Sequence, residues 1–146
     1  MTALLDVNAL IALVDFDHVG HESIHSWFIG NHRSGWATCP LTENGMVRVL
    51  CQPAYPSGQR TPSEVIQVLT ALKAAFSKSY EFWPDDVSLA DDSLFDSALI
   101  AGTRQVTDIY LLGLAARHSG TLVSFDLSLT WQAVRAGSSK LITHPR

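Results

Sequence analysis

Leu4-Leu5-Asp6-Val7-Asn8-Ala9-Leu10-Ile11-Ala12-Leu13 is the stretch on which the fold turns. Its opening, with Thr2-Ala3 before it, is apolar and too short for a helix, and Asp6 interrupts the run before a second apolar stretch begins. A buried strand that passes straight into an apolar helix is the first unit of an alternating β/α chain. Asp6 stands at the junction.

The alternation continues downstream. His21 to Asn31 carries Ile24, Trp27 and Phe28 at helical spacing. Gly35 introduces a second strand, Trp36-Ala37-Thr38-Cys39, and Pro40 suits the first turn of the helix that carries Glu43. Residues 52–60 read as loop from their Pro and Gly content. Thr61-Pro62-Ser63-Glu64 starts a helix to about Ser77, with Thr61 as cap and Glu64 completing a capping box. Tyr80 to Pro84 is a short strand, and Asp85-Asp86 and Asp91-Asp92 form a solvated acidic turn before a helix near Ser93 to Ala101. Thr107 caps a central apolar helix beginning at Asp108, with Gly120 as its left-handed C-terminal residue. A strand to Phe125, a helix through Trp131 and Val134, and a last strand Lys140 to Thr143 complete the order. The expected architecture is one α/β domain over residues 1–146, a mainly parallel sheet flanked by helices.

The composition agrees. A chain of 146 residues, 47% hydrophobic and 16% charged, is globular and long enough for a real core. The net charge of −4 argues against a charge-driven grip on nucleic acid. It leaves a nucleic-acid enzyme open, because bound metal and local arginines offset acids. Cys39 and Cys51 read as reduced thiols. Asp6 and Asp15 break the apolar N-terminus, and no apolar run reaches membrane-spanning length, so the expected location is the cytoplasm.

Four acids carry the chemistry. Asp6, Glu43, Asp108 and Asp126 each lie at or beside the end of a buried element, which would bring them to one edge of a parallel sheet. Two carboxylates about 4 Å apart repel by about 4 kcal/mol at an effective dielectric of about 20. A hard divalent cation with oxygen ligands removes that cost, so the set reads as a Mg²⁺ or Mn²⁺ site. No Ser, Cys or Lys sits in a recognisable triad context, which points to hydrolysis of a phosphodiester by activated water. Asn8 and Thr107 are neutral groups beside Asp6 and Asp108, suited either to orienting them or to simple helix capping.

Leu5-Asp6-Val7-Asn8, Thr42-Glu43, Thr107-Asp108 with its helix to Gly120, and Ser124-Phe125-Asp126 resemble the acidic signature of PIN-domain ribonucleases, most closely the VapC toxins of bacterial toxin–antitoxin pairs. The resemblance spans the whole chain in order. It implies a PIN-like fold and a metal-dependent endoribonuclease with Asp6 and Asp108 as main metal ligands and Glu43 and Asp126 completing the pocket. It also implies a homodimer held inactive by a cognate antitoxin. Arg48, Arg104 and Arg117, the basic residues nearest Glu43 and Asp108 in sequence, are the candidates for RNA contact. The family often has a basic residue directly after its last acid; here Leu127 and Ser128 follow Asp126.

Two other readings compete. His21-Glu22-Ser23-Ile24-His25 matches the H-E-x-x-H pattern of zinc proteases, although no third ligand is well placed and a solvated histidine face is the plainer expectation. Asp6-Val7-Asn8 is also similar to the strand-end motif of haloacid-dehalogenase-type phosphatases, but Asn8 stands where a second acid is needed and no lysine is placed for the role.

Overall fold

A computed structural model describes residues 1–146. Five short strands, β1 (Ala3–Leu5), β2 (Trp36–Thr38), β3 (Tyr80–Phe82), β4 (Thr121–Val123) and β5 (Ile142–Thr143), form one sheet in the order β3-β2-β1-β4-β5. Every neighbouring pair is parallel. The chain starts in the middle, moves outward through β2 and β3, then crosses to the other side of β1 for β4 and β5. The gap between β1 and β4 is therefore a topological switch point, where open parallel sheets bind ligands beyond the carboxyl ends of their strands.

Five helices cover the faces: α1 (Val7–Val14), α2 (His21–Asn31), α3 (Pro40–Leu50), α4 (Pro62–Ala75) and α5 (Val106–Arg117). Side chains alternate across a strand, and β1 divides its three residues accordingly. Ala3 and Leu5 join α1 to α4 in one core through Leu10, Ile24, Phe28, Met46, Leu50 and Leu69. Leu4 belongs to a second core, with Ile109, Leu112 and Leu114 of α5, Trp83 and Phe95. The helix starts follow local chemistry. Asp6 accepts a bond from Val7 N at 2.7 Å, Pro40 and Pro62 occupy first turns, and Thr61 accepts from Glu64 N at 3.2 Å. The return bond that would make the Thr61–Glu64 pair a full capping box is not formed.

Several expected elements differ. The helix near Ser93 to Ala101 reduces to a 3-10 turn at Ser97–Leu99, because Asp91 and Asp96 accept bonds from Ser93 N and Ala98 N and hold the backbone in tight turns. The helix through Trp131 and Val134 does not form. Instead Asp96 N donates to the Ala133 carbonyl and Arg135 N to the Leu94 carbonyl, around a Phe95–Val134 bridge. α5 starts at Val106, so Thr107 lies inside the first turn and caps nothing. The left-handed residue after α5 is Ser119 (φ 53°), not Gly120. Gly120 is required for a different reason: a Cβ there would lie 2.5 Å from the Thr2 carbonyl oxygen. The last strand is confined to Ile142–Thr143, and β3 ends at Phe82.

Candidate active site

Asp6 leaves β1 and caps α1, with 6% of its surface exposed. Val7 N donates to its Oδ1, and Ser124 Oγ donates to its Oδ2 at 2.8 Å. Burial pushes the Asp6 carboxyl above its ordinary range, the two bonds pull it back, and the charge of Asp126 pushes it up again.

Ser124, wholly buried just past β4, organises this corner. Its hydroxyl donates to Asp6 while accepting from Asn8 Nδ2 at 2.9 Å and from Asp126 N at 3.1 Å, which exhausts its bonding capacity. Asn8 also accepts from Phe125 N at 3.1 Å, so it braces the segment that carries Asp126. Asp126 in turn is held by Ser128, whose backbone N and hydroxyl donate to Oδ1 at 2.8 and 2.6 Å. These bonds keep its carboxyl below the usual range, so Asp126 is a firmly ionised acid. Ser128 thus gives a use to the position after Leu127, where a basic residue was absent.

Asp108 approaches from the first turn of α5. Burial, then the charges of Asp6 and Asp126, push its carboxyl up to about 6. A cavity of about 210 Å³ opens beside Asp108 and Asp126, with Arg104, Gln105, Ser128 and Thr130 also on its wall. The ion pairs of the molecule lie elsewhere, at Asp15, Glu43, Asp92 and Asp96. Asp6, Asp108 and Asp126 therefore repel one another with no ion pair of their own, and the charge of His144 acts only on Asp126.

Glu43 lies one strand over, in the first turn of α3 after β2, and faces different partners. Its Oε2 receives Lys73 Nζ of α4 at 2.6 Å, the Thr38 hydroxyl and, at 3.4 Å, the Tyr80 hydroxyl. Burial opposes the charge of Lys73, yet its bonds to Glu43 and Tyr80 raise its ammonium above the ordinary range. Glu43 and Lys73 line a cavity of about 590 Å³ between α3 and α4. Sequence reasoning assigned no role to Lys73, Thr38 or Tyr80, and Ser124 stood in the Ser124-Phe125-Asp126 motif without one. Asp85, expected as part of a solvated turn, accepts from Leu41 N at 3.0 Å and from the Tyr110 hydroxyl at 2.8 Å, tying the helices that carry Glu43 and Asp108.

The remaining candidates separate. Arg104 shares the acidic cavity, and Arg48 is exposed on the wall of the Glu43 cavity. Arg117 ends α5, about 13 Å along the helix axis from Asp108, and its charge acts on Asp91 instead. Thr107 is exposed. His21 bonds the Ala12 carbonyl through Nδ1 at 2.8 Å and stacks on His25 with ring centroids 5.5 Å apart. No third His, Cys, Asp or Glu joins them as a zinc site would require. Asn8, where a haloacid-dehalogenase-type phosphatase needs its second acid, is an amide that bonds Ser124 and Phe125 N.

The structure contains no preformed cage of three His, Cys, Asp or Glu side chains anywhere. Mg²⁺ does not need one, since it keeps several waters and takes one or two carboxylates. Hard oxygen donors that form no ion pair, beside an open cavity, fit such an ion.

No protein-family model matches the chain. Relatives do. The chain is 45% identical over 135 residues to Ribonuclease VapC44 of Mycobacterium tuberculosis, covering 92% of each. It is 49% identical over 124 residues to Ribonuclease VapC38 of the same organism, covering 85% of this chain and 84% of that one. The chain belongs to the VapC ribonuclease family. Its fold also matches VapBC2 from Rickettsia felis bound to a DNA fragment from their promoter, with a TM-score of 0.63 over the full length of both chains. A FitAB complex bound to an IR36 DNA fragment matches with a TM-score of 0.56 over 98% of this chain and 94% of that one. Identities of 11% and 17% make those two likenesses of fold alone. Asp6, Asp108 and Asp126 of this VapC chain stand at the switch point of a five-stranded parallel sheet, with Glu43 one strand over. No helix in it is long and apolar enough to cross a membrane.

Proposed function

We propose that this VapC chain is a metal-dependent endoribonuclease, the toxin of a toxin–antitoxin pair, using Mg²⁺ or Mn²⁺ held by Asp6 and Asp108. The observation that carries the reading is the convergence of Asp6, Asp108 and Asp126 at the switch point with no ion pair to any of them. RNA as substrate rests on the ribonuclease relatives.

A bound ion would supply an acidified water and neutralise charge building on a phosphoryl oxygen. The chain supplies the rest. Asp126, fixed through Oδ1 by Ser128, is ionised and able to accept a proton or a hydrogen bond at the cavity wall. Arg104, on the same wall, offers positive charge to the scissile phosphate. Ser124 and Asn8 hold Asp6 and the Asp126 segment in register. Glu43 completes the acidic edge from α3. Asp126 and Glu43 would act as catalytic residues beside Asp6 and Asp108, with Asn8 in support and Arg104 as a substrate contact. Arg48, exposed beside Glu43, would extend the RNA path.

The chain would work in the cytoplasm as a homodimer, restrained by a cognate antitoxin, as the VapBC pairing of the R. felis neighbour suggests. The purified protein should cut RNA internally with Mg²⁺ or Mn²⁺ and stop when EDTA is added. Expression of the chain alone should arrest growth, and co-expression of the neighbouring antitoxin frame should restore it. Cleavage that persists in excess EDTA would contradict the metal, and a harmless chain would contradict the toxin.

A further inference from the structure

We propose that Lys73 is the resident counter-charge of Glu43, so that the acidic edge takes a single divalent ion and Glu43 serves beside it as a lysine-clamped carboxylate. The inference rests on the metal-dependent reading above and refines it.

The two halves of the edge differ in how their charge is met. Asp6, Asp108 and Asp126 have no ammonium or guanidinium within ion-pair distance, whereas Lys73 Nζ lies 2.6 Å from Glu43 Oε2. Lys73 is not a free surface lysine. Its side chain is 28% exposed, and its ammonium lies over the rings of Tyr80 at 5.3 Å and Phe82 at 5.1 Å, both in β3. The Thr38 and Tyr80 hydroxyls converge on the same oxygen and lie 2.6 Å from each other. Oε2 is thereby filled, while Oε1 makes no hydrogen bond within the protein and remains available as an acceptor.

A divalent ion bound to Glu43 would sit within a few ångströms of this ammonium and feel twice the repulsion of a unit charge. Two-metal nucleases place their ions about 3.5–4 Å apart to hold the attacking and leaving oxygens. Here Lys73 provides fixed positive charge at the Glu43 end without a second ion. Its role is positional: it holds Oε2 of Glu43 and so aims the free oxygen.

The test is Mn²⁺ titration of the metal-free protein, followed by calorimetry and electron paramagnetic resonance, with no RNA present. One Mn²⁺ per chain, without spin coupling between ions, is expected. Lys73→Met should release Glu43 for an ion and raise the stoichiometry toward two, the added Glu43→Gln change should return it to one, and Lys73→Arg should leave it at one. In RNA cleavage, Lys73→Met should lower kcat by about tenfold or more with KM little changed, because a positioning contact is lost rather than a substrate contact. Two ions per wild-type chain, or one in Lys73→Met, would overturn the proposal. So would a raised KM at unchanged kcat, which would make Lys73 a phosphate contact. Should Lys73→Met not fold, the wild-type count and Lys73→Arg still decide. A wild type that binds one Mn²⁺ yet cuts no RNA would contradict the proposed function and leave this inference standing. One that cuts RNA with two ions would overturn this inference alone.

Discussion

Ser124 Oγ lies 2.8 Å from Asp6 Oδ2, a bond between residues 118 positions apart that joins the end of β4 to the end of β1. The same hydroxyl serves Asn8 and the backbone of Asp126, so one small side chain sets the spacing of two acids. Ser124→Ala would leave the Asn8 amide and Asp126 N without this acceptor in a buried corner. The expected cost is about 1–3 kcal/mol in denaturant unfolding, with a fall in RNA cleavage greater than in RNA binding. Unchanged cleavage would remove Ser124 from the site.

Metal-free stability should depend on pH with a definite sign. The folded Asp108 titrates near 6 against an unfolded value near 4, and Asp6 is also raised. Between those values the folded state holds more protons than the unfolded one, so stability falls as pH rises through about 4 to 6 and stays lower above. Asp108→Asn should remove part of this slope. Asp108 is half open to solvent, so the gain at pH 7.5 should be about 1 kcal/mol rather than the full value of the shift. Melting curves of wild type and Asp108→Asn at pH 5 and 7.5 would check it; parallel pH profiles would contradict the raised Asp108 carboxyl, set by burial first and by its acidic neighbours second.

Asp15 closes α1 in a buried polar knot that the sequence did not announce. Tyr55 and Ser57 donate to its Oδ2 at 2.6 Å each, and Arg60 lies 3.4 Å from Oδ1. Burial opposes its charge, but these partners hold its carboxyl below the ordinary range. Asp15→Ala would strand two hydroxyls and an arginine whose Nη1 already has no partner. A loss of about 3 kcal/mol is expected, with cleavage per folded molecule retained, because Asp15 lies about 13 Å along α1 from Asp6. Thermal unfolding together with active-site-normalised cleavage separates the two effects.

The histidine pair on α2 should be dispensable for catalysis. Replacing both His21 and His25 by Ala removes the bond to the Ala12 carbonyl and should cost about 1 kcal/mol. RNA cleavage should stay near wild type. Stoichiometric zinc carried through purification, and lost in the double variant, would contradict this.

The parts of the fold legible in the sequence were those with local causes. The apolar run through Asp6, the Thr61-Pro62 start and Pro40 each act on neighbouring residues, and α2 emerged at His21–Asn31 as expected. Residues 131–137 failed that reading because their backbone groups bond to the segment around Phe95, a tertiary choice invisible to helical spacing. The site followed the same division. Acids at strand ends are visible as a pattern, and Asp6, Asp108 and Asp126 are indeed electrostatic neighbours. The groups that set their charge are not visible, since Lys73 reaches Glu43 from another helix and Ser124 reaches Asp6 from the opposite end of the chain.

The most direct measurement is Mg²⁺-dependent cleavage of RNA by Asp108→Asn, in a preparation shown by circular dichroism to be folded. Removal of this carboxylate should lower cleavage by more than about a hundredfold, beyond what loss of an outer-sphere partner costs, while the fold melts no earlier than wild type in the absence of metal. Full Mg²⁺-dependent cleavage by folded Asp108→Asn protein would contradict the assignment of this acidic edge as the active site.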